Sequence, residues 1–353
     1  MAYTDIDDPS AYFQTKLYTA ADAYTFDGNS DLAPNWMWIK ERNGTNEHNL
    51  FDSVRGTTIR LESSASAAEQ TSSTTLTAFG SDGFTVGNNG GTGQNGGNYV
   101  GWGWKAGTSF TNDASATSVG NIDSQGSVNQ TAGFSIIKWS GNGSNDQQIA
   151  HGLGAAPAWW IVKRRNADVD WYTVHKSTIA DYHDDYFLRL NENTILEGDN
   201  NVGTGVPTSS VFFVGNDTLS NASGGEYIAY LFAEKQGYSK VGSYVGNGNA
   251  NGTFVYTGFK PAFVIAKNSS ATTNWQLLDN KRNTFNVVNK VLYPDISNAE
   301  ATVSGDRLVD FLSNGFKVRN TTTDWNTSGQ TIIYMCFAEN PFTTSTGVPT
   351  TAR

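Results

Sequence analysis

The feature that most constrains this sequence is an internal repeat. Three stretches align, each beginning at a proline and reaching a lysine six residues later: Pro34–Lys40, Pro157–Lys163 and Pro261–Lys267. The three prolines lie 123 and then 104 residues apart. That spacing is the length of a small domain and exceeds a solenoid repeat of about 20 to 50 residues. The sequence therefore predicts tandem copies of one domain.

Other positions recur in the same frame. The position fourteen residues after the proline holds His48, Trp171 or Trp275, and the position four further on holds Asp52, His175 or Asp279. Each copy also closes on an apolar run, which spans Tyr99–Trp104, Tyr227–Glu234 and Ile332–Glu339. Because the histidines align with tryptophan or aspartate elsewhere, a catalytic histidine shared by the copies is excluded.

The local pattern predicts strands. Within each copy, short runs of aromatic and β-branched residues alternate with clusters of Gly, Asn, Asp and Ser, which is typical of strands joined by turns. The strongest helix candidate is Thr178–Asp185. We predict an all-β fold of three tandem antiparallel β-sandwich domains, jelly-roll-like and about 100 residues each. Trp38, Trp160 and Phe232 are expected in their cores.

The repeat and the composition together predict domain boundaries. A stretch rich in Ser, Thr, Gly and Asn separates the first two copies and is interpreted as a linker or loop. The C-terminal residues are expected to form an extended tail that could reach a neighbouring subunit. The predicted parts are an N-terminal segment at 1–12, repeat 1 at 13–107, the linker or loop at 108–132, repeat 2 at 133–236, repeat 3 at 237–342, and the tail at 343–353.

Charge and cysteine content exclude several protein classes. The 23 Lys and Arg against 33 Asp and Glu leave a formal net charge of −10, which argues against a protein that binds the nucleic-acid backbone. No apolar run approaches the ~20 residues that span a bilayer, and the acidic N-terminus lacks the order of a signal peptide. The single cysteine, Cys336, lies in an apolar run and is predicted to be an inert core thiol.

The candidate catalytic and metal-binding groups favour structural interpretations. Asp181, His183, Asp184 and Asp185 form the densest metal-capable group, but their spacing matches no standard calcium loop, so we predict neither a metal nor a cofactor. Only four histidines occur and no Gly-x-Ser-x-Gly elbow is present, so a catalytic triad is not expected.

Recurring acidic residues are interpreted as structural. Glu234 and Glu339 end equivalent apolar runs, where capping or a salt bridge is expected. Asp52–Arg55 and Asp279–Arg282 share an Asp-x-x-Arg spacing that the middle copy lacks, and we interpret both as ion pairs or turns. Paired carboxylates for glycoside cleavage stay an alternative, because their separation is decided by the fold.

Glycan binding is the remaining candidate chemistry. Aromatic residues beside Asn and Gly have the composition of a sugar-binding loop, and all-β sandwiches often present such loops. The candidate ligand-binding residues are Trp139, Asn142, Tyr244, Asn247 and Trp325. Core packing is the alternative for the aromatic residues, and hairpin geometry is the alternative for the Gly-Asn-Gly turns.

Several motifs resemble one family of proteins. The opening Met1–Phe13, Trp36–Arg42, Leu50–Gly56, Gly242–Gly248 and the ending Phe337–Arg353 resemble virion-associated proteins of marine tailed bacteriophages such as cyanophages. Those proteins are described as tail-fibre-like or as uncharacterised structural proteins. The resemblance implies a place, the phage particle, and supplies no catalytic motif.

The leading hypothesis is a non-enzymatic virion structural protein, assembled in the bacterial host cytoplasm and displayed on the particle surface. It would serve as a tail fibre or adhesin, or as a capsid-surface fibre or decoration, with host glycans as candidate ligands. Its expected partners are other virion proteins and further copies of itself, and neither nucleic acid nor membrane insertion is expected. The alternatives are a glycan-degrading tail-associated enzyme and a purely architectural capsid cement protein.

Overall fold

A computed structural model describes residues 3–178, 186–199, 202–203, 205–303 and 309–350. Within these ranges the chain is built from antiparallel strands, and its helices are one 3-10 turn (Pro9–Ala11) and the short α1 (Ala114–Thr117). The predicted all-β sandwich class is confirmed. The candidate helix Thr178–Asp185 lies, apart from Thr178, outside the described residues. No helix in the described ranges is both long enough and apolar enough to span a membrane.

Segment 1 (residues 13–107) forms two facing sheets. The larger has the strand order β1-β9-β3-β4-β5-β6 and the smaller β2-β8-β7. Met37, Ile39 and Phe84 belong to the core between them. The strands are β1 (Phe13–Thr19), β2 (Ala23–Tyr24), β3 (Trp36–Glu41), β4 (Asn49–Asp52), β5 (Gly56–Glu62), β6 (Gln70–Thr71), β7 (Leu76–Phe79), β8 (Phe84–Val86) and β9 (Asn98–Trp104).

Segment 2 (residues 133–236) has the same order in its large sheet, to which residues 108–129 add two strands, whereas its small sheet has two strands instead of three. Its sheets have the orders β10-β11-β12-β19-β14-β15-β16-β17 and β13-β18. The strands are β10 (Thr108–Asn112), β11 (Ser124–Asn129), β12 (Phe134–Ser140), β13 (Gln147–Ala150), β14 (Trp159–Arg164), β15 (Tyr172–His175), β16 (Tyr186–Arg189), β17 (Glu197–Gly198), β18 (Val211–Val214) and β19 (Glu226–Phe232).

The added strands correct the prediction of a linker or loop at 108–132. β10 and β11 form a hairpin, and β11 pairs with β12, so the hairpin extends the large sheet of segment 2. Phe110 and Val128 anchor it by packing against the core of that segment. Composition failed here because Ser and Thr are common in linkers but also fit a half-exposed strand pair.

Segment 3 (residues 237–342) has the sheets β20-β28-β22-β23, β21-β27-β26 and β24-β25. Its strands are β20 (Ser239–Val245), β21 (Phe254–Tyr256), β22 (Phe259–Asn268), β23 (Gln276–Asp279), β24 (Lys290–Val291), β25 (Ala301–Thr302), β26 (Val309–Leu312), β27 (Gly315–Val318) and β28 (Thr331–Pro341). The large sheets of all three segments therefore share one order, in which the last strand lies between the first strand and the β3-like strand.

The three large sheets also share a central aromatic cluster. Side chains alternate between the two faces of a strand, so Met37 and Ile39 face the small sheet of segment 1 while Trp36 and Trp38 face the centre. Ring contacts join every pair of segments: Trp36 to Tyr230 at 4.5 Å, Phe232 to Phe337 at 5.9 Å, and Trp104 to Phe263 at 5.5 Å between centroids. Each segment buries part of its apolar surface against the other two, and the division of the chain into three tandem domains stays a prediction.

The predicted core residues are buried as expected. Trp38, Trp160 and Phe232 are at most 3% exposed. Cys336 is a buried free thiol, and burial raises its pKa well above the ordinary value. The inert-thiol prediction therefore agrees with its surroundings.

The described residues near the two ends of the chain lie together, and the Tyr3 hydroxyl donates to the carbonyl of Gly258 in segment 3 at 2.7 Å. Thr4 Oγ1 donates to the carbonyl of Gln236 at 2.7 Å, and Asp7 accepts a hydrogen bond from the Ser345 amide at 2.6 Å. The predicted extended tail is wrong for its described part, because Thr343 pairs with Pro349 and the chain folds back as a small turn. Residues 351–353 lie outside the described ranges.

Candidate functional site

The predicted aromatic ligand residues lie in the cores. Trp139 is 3% exposed and stacks on Tyr227 at 5.3 Å between centroids, and Trp325 is fully buried. Tyr244 is buried as well and donates its hydroxyl to the carbonyl of Trp325 at 2.8 Å. These rings therefore do not offer a face on which a sugar could stack, and the packing alternative describes them correctly.

The predicted asparagines belong to a repeated structural pair. Asn221 Nδ2 donates to Asn142 Oδ1 at 2.9 Å, and Asn326 Nδ2 donates to Asn247 Oδ1 at 3.0 Å. The backbone amides of Asn142 and Asn247 return the bond to the amide oxygens of their partners. Asn221 and Asn326 are fully buried. The pairs therefore anchor the two Gly-Asn-Gly turns to the cores.

Sequence reasoning missed the buried partners, although a signal exists. In both segments the two asparagines of a pair are 79 residues apart. Asn142 and Asn247 themselves are exposed, and their Nδ2 atoms donate to Gln147 Oε1 at 3.0 Å and to the carbonyl of Asn251 at 3.2 Å. Ligand binding through the second Nδ2 hydrogen of each stays a prediction.

The repeated lysines hold loops from inside the protein. Lys40, Lys163 and Lys267 are fully buried, and each ammonium group donates to backbone carbonyls of the loop after its strand. Lys40 Nζ reaches the carbonyl of Gly44 at 3.0 Å, Lys163 Nζ that of Val169 at 2.7 Å, and Lys267 Nζ that of Ala271 at 3.0 Å. Burial lowers the pKa of all three to about 8. The strongest repeat signal in the sequence therefore has a structural cause.

The junction between segments 1 and 2 contains a buried ion pair. Arg55 Nε lies 2.5 Å from Asp52 Oδ2, and both side chains are fully buried. Tyr230 of segment 2 donates its hydroxyl to the same carboxylate oxygen at 2.8 Å. The ion-pair interpretation of Asp-x-x-Arg is confirmed, and the pair also joins two segments.

The junction between segments 3 and 1 repeats this chemistry. Arg282 Nε lies 2.5 Å from Asp279 Oδ2, with both side chains fully buried, and Trp102 Nε1 of segment 1 donates to that oxygen at 3.2 Å. The guanidinium also lies over the Trp102 ring at 5.6 Å, a favourable cation–π position.

The junction between segments 2 and 3 uses a histidine instead. His175 Nδ1 accepts from the amide of Ser177 at 3.1 Å, which assigns the ring proton to Nε2. His175 Nε2 therefore donates to the carbonyl of Tyr334 in segment 3, at 3.2 Å. Burial lowers the pKa of His175 to about 4, so the ring is neutral near pH 7.

One backbone hydrogen bond also joins each pair of segments: from segment 1 to 2, from 2 to 3, and from 3 to 1. The amide of Glu69 donates to the carbonyl of Arg165 at 2.8 Å, and the amide of Leu196 to Ser269 at 3.0 Å. The amide of Glu300 donates to the carbonyl of Arg42 at 2.7 Å. These contacts and the three junctions close the segments into a ring, which we call the junction ring.

The inserted hairpin creates a polar groove on segment 2. The cavity has a volume of about 700 Å³ and lies across the ends of β10, β11, β12 and β19. Of the predicted ligand residues, it contains Trp139 and Asn142, and the structure places neither Tyr244 nor Asn247 there. Its polar lining includes Asp113, Asp123, Gln125, Lys138, Asn142 and Glu226.

Some of the groove groups already have structural partners. Asp113 caps α1 by accepting from the amide of Ser115 at 3.0 Å, and Asp123 accepts from the amide of Ala114 at 2.9 Å. Glu226 accepts from the hydroxyl of Ser140 at 2.9 Å. The remaining acceptor positions, together with Lys138 and Gln125, suit a ligand rich in hydroxyl groups.

The other chemistry-bearing residues form salt bridges. Glu234 contacts Lys240 at 3.0 Å and Glu339 contacts Lys260 at 2.6 Å, as predicted from their positions at the ends of apolar runs. In the part of the chain that the structure describes, no three His, Cys, Asp or Glu side chains come close enough to hold a metal ion. The candidate metal group Asp181, His183, Asp184 and Asp185 lies outside that part.

Comparison with known proteins identifies the family. The chain belongs to the family described as a domain of unknown function, DUF7483, whose model matches residues 8–341. No curated protein and no solved structure matches the chain. The match extends over all three segments.

Proposed function

We propose that this chain is a non-enzymatic structural protein on the surface of a bacteriophage particle. In that role it would be a tail fibre or adhesin, or a capsid-surface fibre or decoration. The virion location rests on the family resemblance of its motifs. The observation that best supports a structural role is the junction ring, in which the recurring Asp, Arg and His side chains join segments.

Such a ring suits a protein that must persist outside a cell without disulfides. Separating any two segments would expose part of the central aromatic cluster and leave a buried polar group without its partner. Both changes cost free energy, since apolar burial is worth about 25 cal/mol per Å² and an uncompensated buried charge costs several kcal/mol. Each segment therefore stabilises the other two.

The groove on segment 2 is the candidate binding surface within this proposal. Its amide, carboxylate and ammonium groups can both donate to and accept from sugar hydroxyls. A host-surface glycan is the ligand class that this chemistry and the proposed location favour.

Localisation tests the virion proposal. Purified particles of a phage whose genome encodes this chain would be imaged by cryo-electron microscopy, with immunogold labelling of the protein. We expect density on the tail or on the outside of the capsid. Density between capsid subunits would favour the cement alternative, and absence from purified particles would refute the virion proposal.

A matched pair of variants tests glycan binding. Asn142→Ala and Asn247→Ala each remove one member of an equivalent asparagine pair, but only Asn142 lies in the groove. Binding to host polysaccharide, measured by biolayer interferometry, should weaken for Asn142→Ala and not for Asn247→Ala. Equal binding by both variants would argue against the groove. Release of reducing sugars by the purified chain would favour the enzyme alternative.

A further inference from the structure

The small sheet of segment 3 has an apolar outer face. Val255, Phe316 and Phe311 point into the core, so alternation turns Phe254 and Tyr256 outward. Phe254 is 42% and Tyr256 55% exposed. The Tyr256 hydroxyl lies 3.3 Å from that of Tyr3, but its ring stays open to solvent. Two large aromatic faces on one exposed edge strand need an explanation.

Residues 285–288 continue this sheet on its other side. The side chain of Asn286 hydrogen-bonds both the amide and the carbonyl of Phe311, each at 2.8 Å. Val288 pairs with Val309. Phe285 and Val287 flank Asn286 and are 81% and 39% exposed.

The strands β21, β27 and β26 give this face two rows, which residues 285–288 continue beyond β26. The β21–β27–β26 register aligns Phe254, Lys317 and Asp310 in one row, and Tyr256, Gly315 and Leu312 in the other. Val287 extends the first row and Phe285 the second. We call these eight positions the segment 3 outer face.

The equivalent faces of the other segments are different. In segment 1, the outward positions of β8 and β7 are Thr85 and Thr77. In segment 2, the ring of the outward Phe213 is covered by the chain at Gly205, where an added Cβ would lie within 3 Å of the ring atoms. Only segment 3, among the described residues, presents large bare apolar side chains on this surface.

We propose that the segment 3 outer face binds the same face of a second copy of the chain. In this dimer a twofold axis would run parallel to the strands, between β26 and β27. Each row would then lie against the same row of the other copy, in reverse order. Lys317 would then meet Asp310 of the other copy, Tyr256 would meet Phe285, and Phe254 would meet Val287. The Leu312 side chain would lie over Gly315 of the other copy, which has no side chain.

This self-complementarity selects a second copy over an unrelated partner. A closed twofold contact requires a surface that matches itself, and a row with one Lys and one Asp at mirrored positions meets that requirement in charge. The proposal does not depend on the virion location, because it concerns the isolated chain.

Charge reversal provides the decisive test. The mass of the full chain would be measured by sedimentation velocity over a range of concentrations. We expect a two-chain species for the natural sequence and a one-chain species for Asp310→Lys and for Lys317→Asp, because each variant places like charges opposite each other. An equimolar mixture of the two variants should restore the two-chain species, since Lys then faces Asp at both contacts.

That rescue cannot arise within one chain. Asp310 also lies 3.6 Å from Arg319 in its own chain, so circular dichroism melting would first verify that each variant is folded. If one charge variant does not fold, Phe285→Ser provides a second test, matched by Ile195→Ser, which alters a 49% exposed residue of segment 2. The first should dissociate the two-chain species and the second should not. A one-chain mass for the natural sequence at every concentration, or a mixture that stays dissociated, would overturn the proposal.

Discussion

At the junction between segments 2 and 3, the side-chain hydrogen bond between segments has the opposite direction from the bonds at the other two junctions. At two junctions a carboxylate, Asp52 or Asp279, accepts a hydrogen bond from the neighbouring segment, and at the third His175 donates one. The difference depends on which side chain the neighbouring segment's strand places at the contact. Trp102 and Tyr230 carry a donor, whereas Met335, at the equivalent register position, carries none, so His175 bonds a backbone carbonyl.

The comparison teaches that equivalent contacts can differ in their sensitivity to acid. Each Asp–Arg pair is a buried charged unit, which is costly to break on one side only. The histidine contact requires a neutral ring, which is lost on protonation. We therefore expect the two kinds of junction to respond differently to substitution and to pH.

The largest effect is expected from Asp52→Ala. This change leaves the fully buried Arg55 without its carboxylate and Tyr230 without its acceptor, and we expect the free energy of unfolding to fall by about 3 to 5 kcal/mol. His175→Ala, which removes a neutral hydrogen bond, should cost about 1 to 3 kcal/mol. Urea denaturation compares the two, and an equal or larger loss for His175→Ala would contradict the distinction.

Acid should weaken the histidine junction first. The pKa of His175 is about 4 when folded and about 6.5 when unfolded, so the unfolded chain binds more protons between these values. Its contribution to stability is complete above pH 6.5 and is lost as pH falls toward 4, by about 3 kcal/mol. His151, whose pKa is also lowered to about 4 by burial, adds a parallel loss.

Hydrogen exchange can locate this loss. The amides of Glu69, Leu196 and Glu300 are matched probes, one at each junction. After correction for intrinsic rates, protection of Leu196 should fall more than that of the other two between pH 6.5 and 4.5. His175→Gln should remove this difference between the probes, and uniform loss at all three would argue against a junction-specific effect.

A smaller effect is expected from Tyr230→Phe. This substitution keeps the ring in the central cluster but removes the hydrogen bond to the Asp52 carboxylate, which should cost about 2 kcal/mol. Tyr244→Phe is the matched control, because its hydroxyl bonds the neutral carbonyl of Trp325 and should cost about 1 kcal/mol. Thermal melts of both variants measure the difference, and the reverse order would show that the carboxylate does not strengthen the contact.

The smallest effect is expected from Glu234→Gln. Glu234 links Lys176 of segment 2 to Lys240 of segment 3, but all three side chains are 29 to 40% exposed. Solvent screens such pairs, so we expect a change within about 1 kcal/mol that shrinks further in high salt. A larger loss of stability that does not depend on salt would contradict this expectation. It would show that the exposed salt bridges of Glu234 contribute substantially to the junction between segments 2 and 3.

Several features were predictable because they depend on local pattern. The repeat spacing located equivalent strands, alternation of apolar runs with turn residues indicated an all-β fold, and the Asp-x-x-Arg spacing suits an ion pair within one turn. The prediction of aromatic ligand residues failed for a physical reason. An aromatic residue beside a Gly-Asn-Gly turn has the same local sequence whether its ring faces solvent, as proposed for Trp139, or the core, as the structure places it.

The sequence by itself determined the repeat, the strands and the buried thiol, since these follow from spacing and side-chain type along a short stretch of chain. Only the tertiary structure decided that the segments close into a ring, that the 108–132 hairpin joins a sheet, and which partner each buried side chain meets. Both faces of each large sheet are buried, so runs such as Trp36–Ile39 are apolar throughout and lose the alternation that would distinguish one face from the other. Which face meets which segment depends on contacts between residues more than 100 positions apart, such as Asp52 with Tyr230, and no local pattern encodes them.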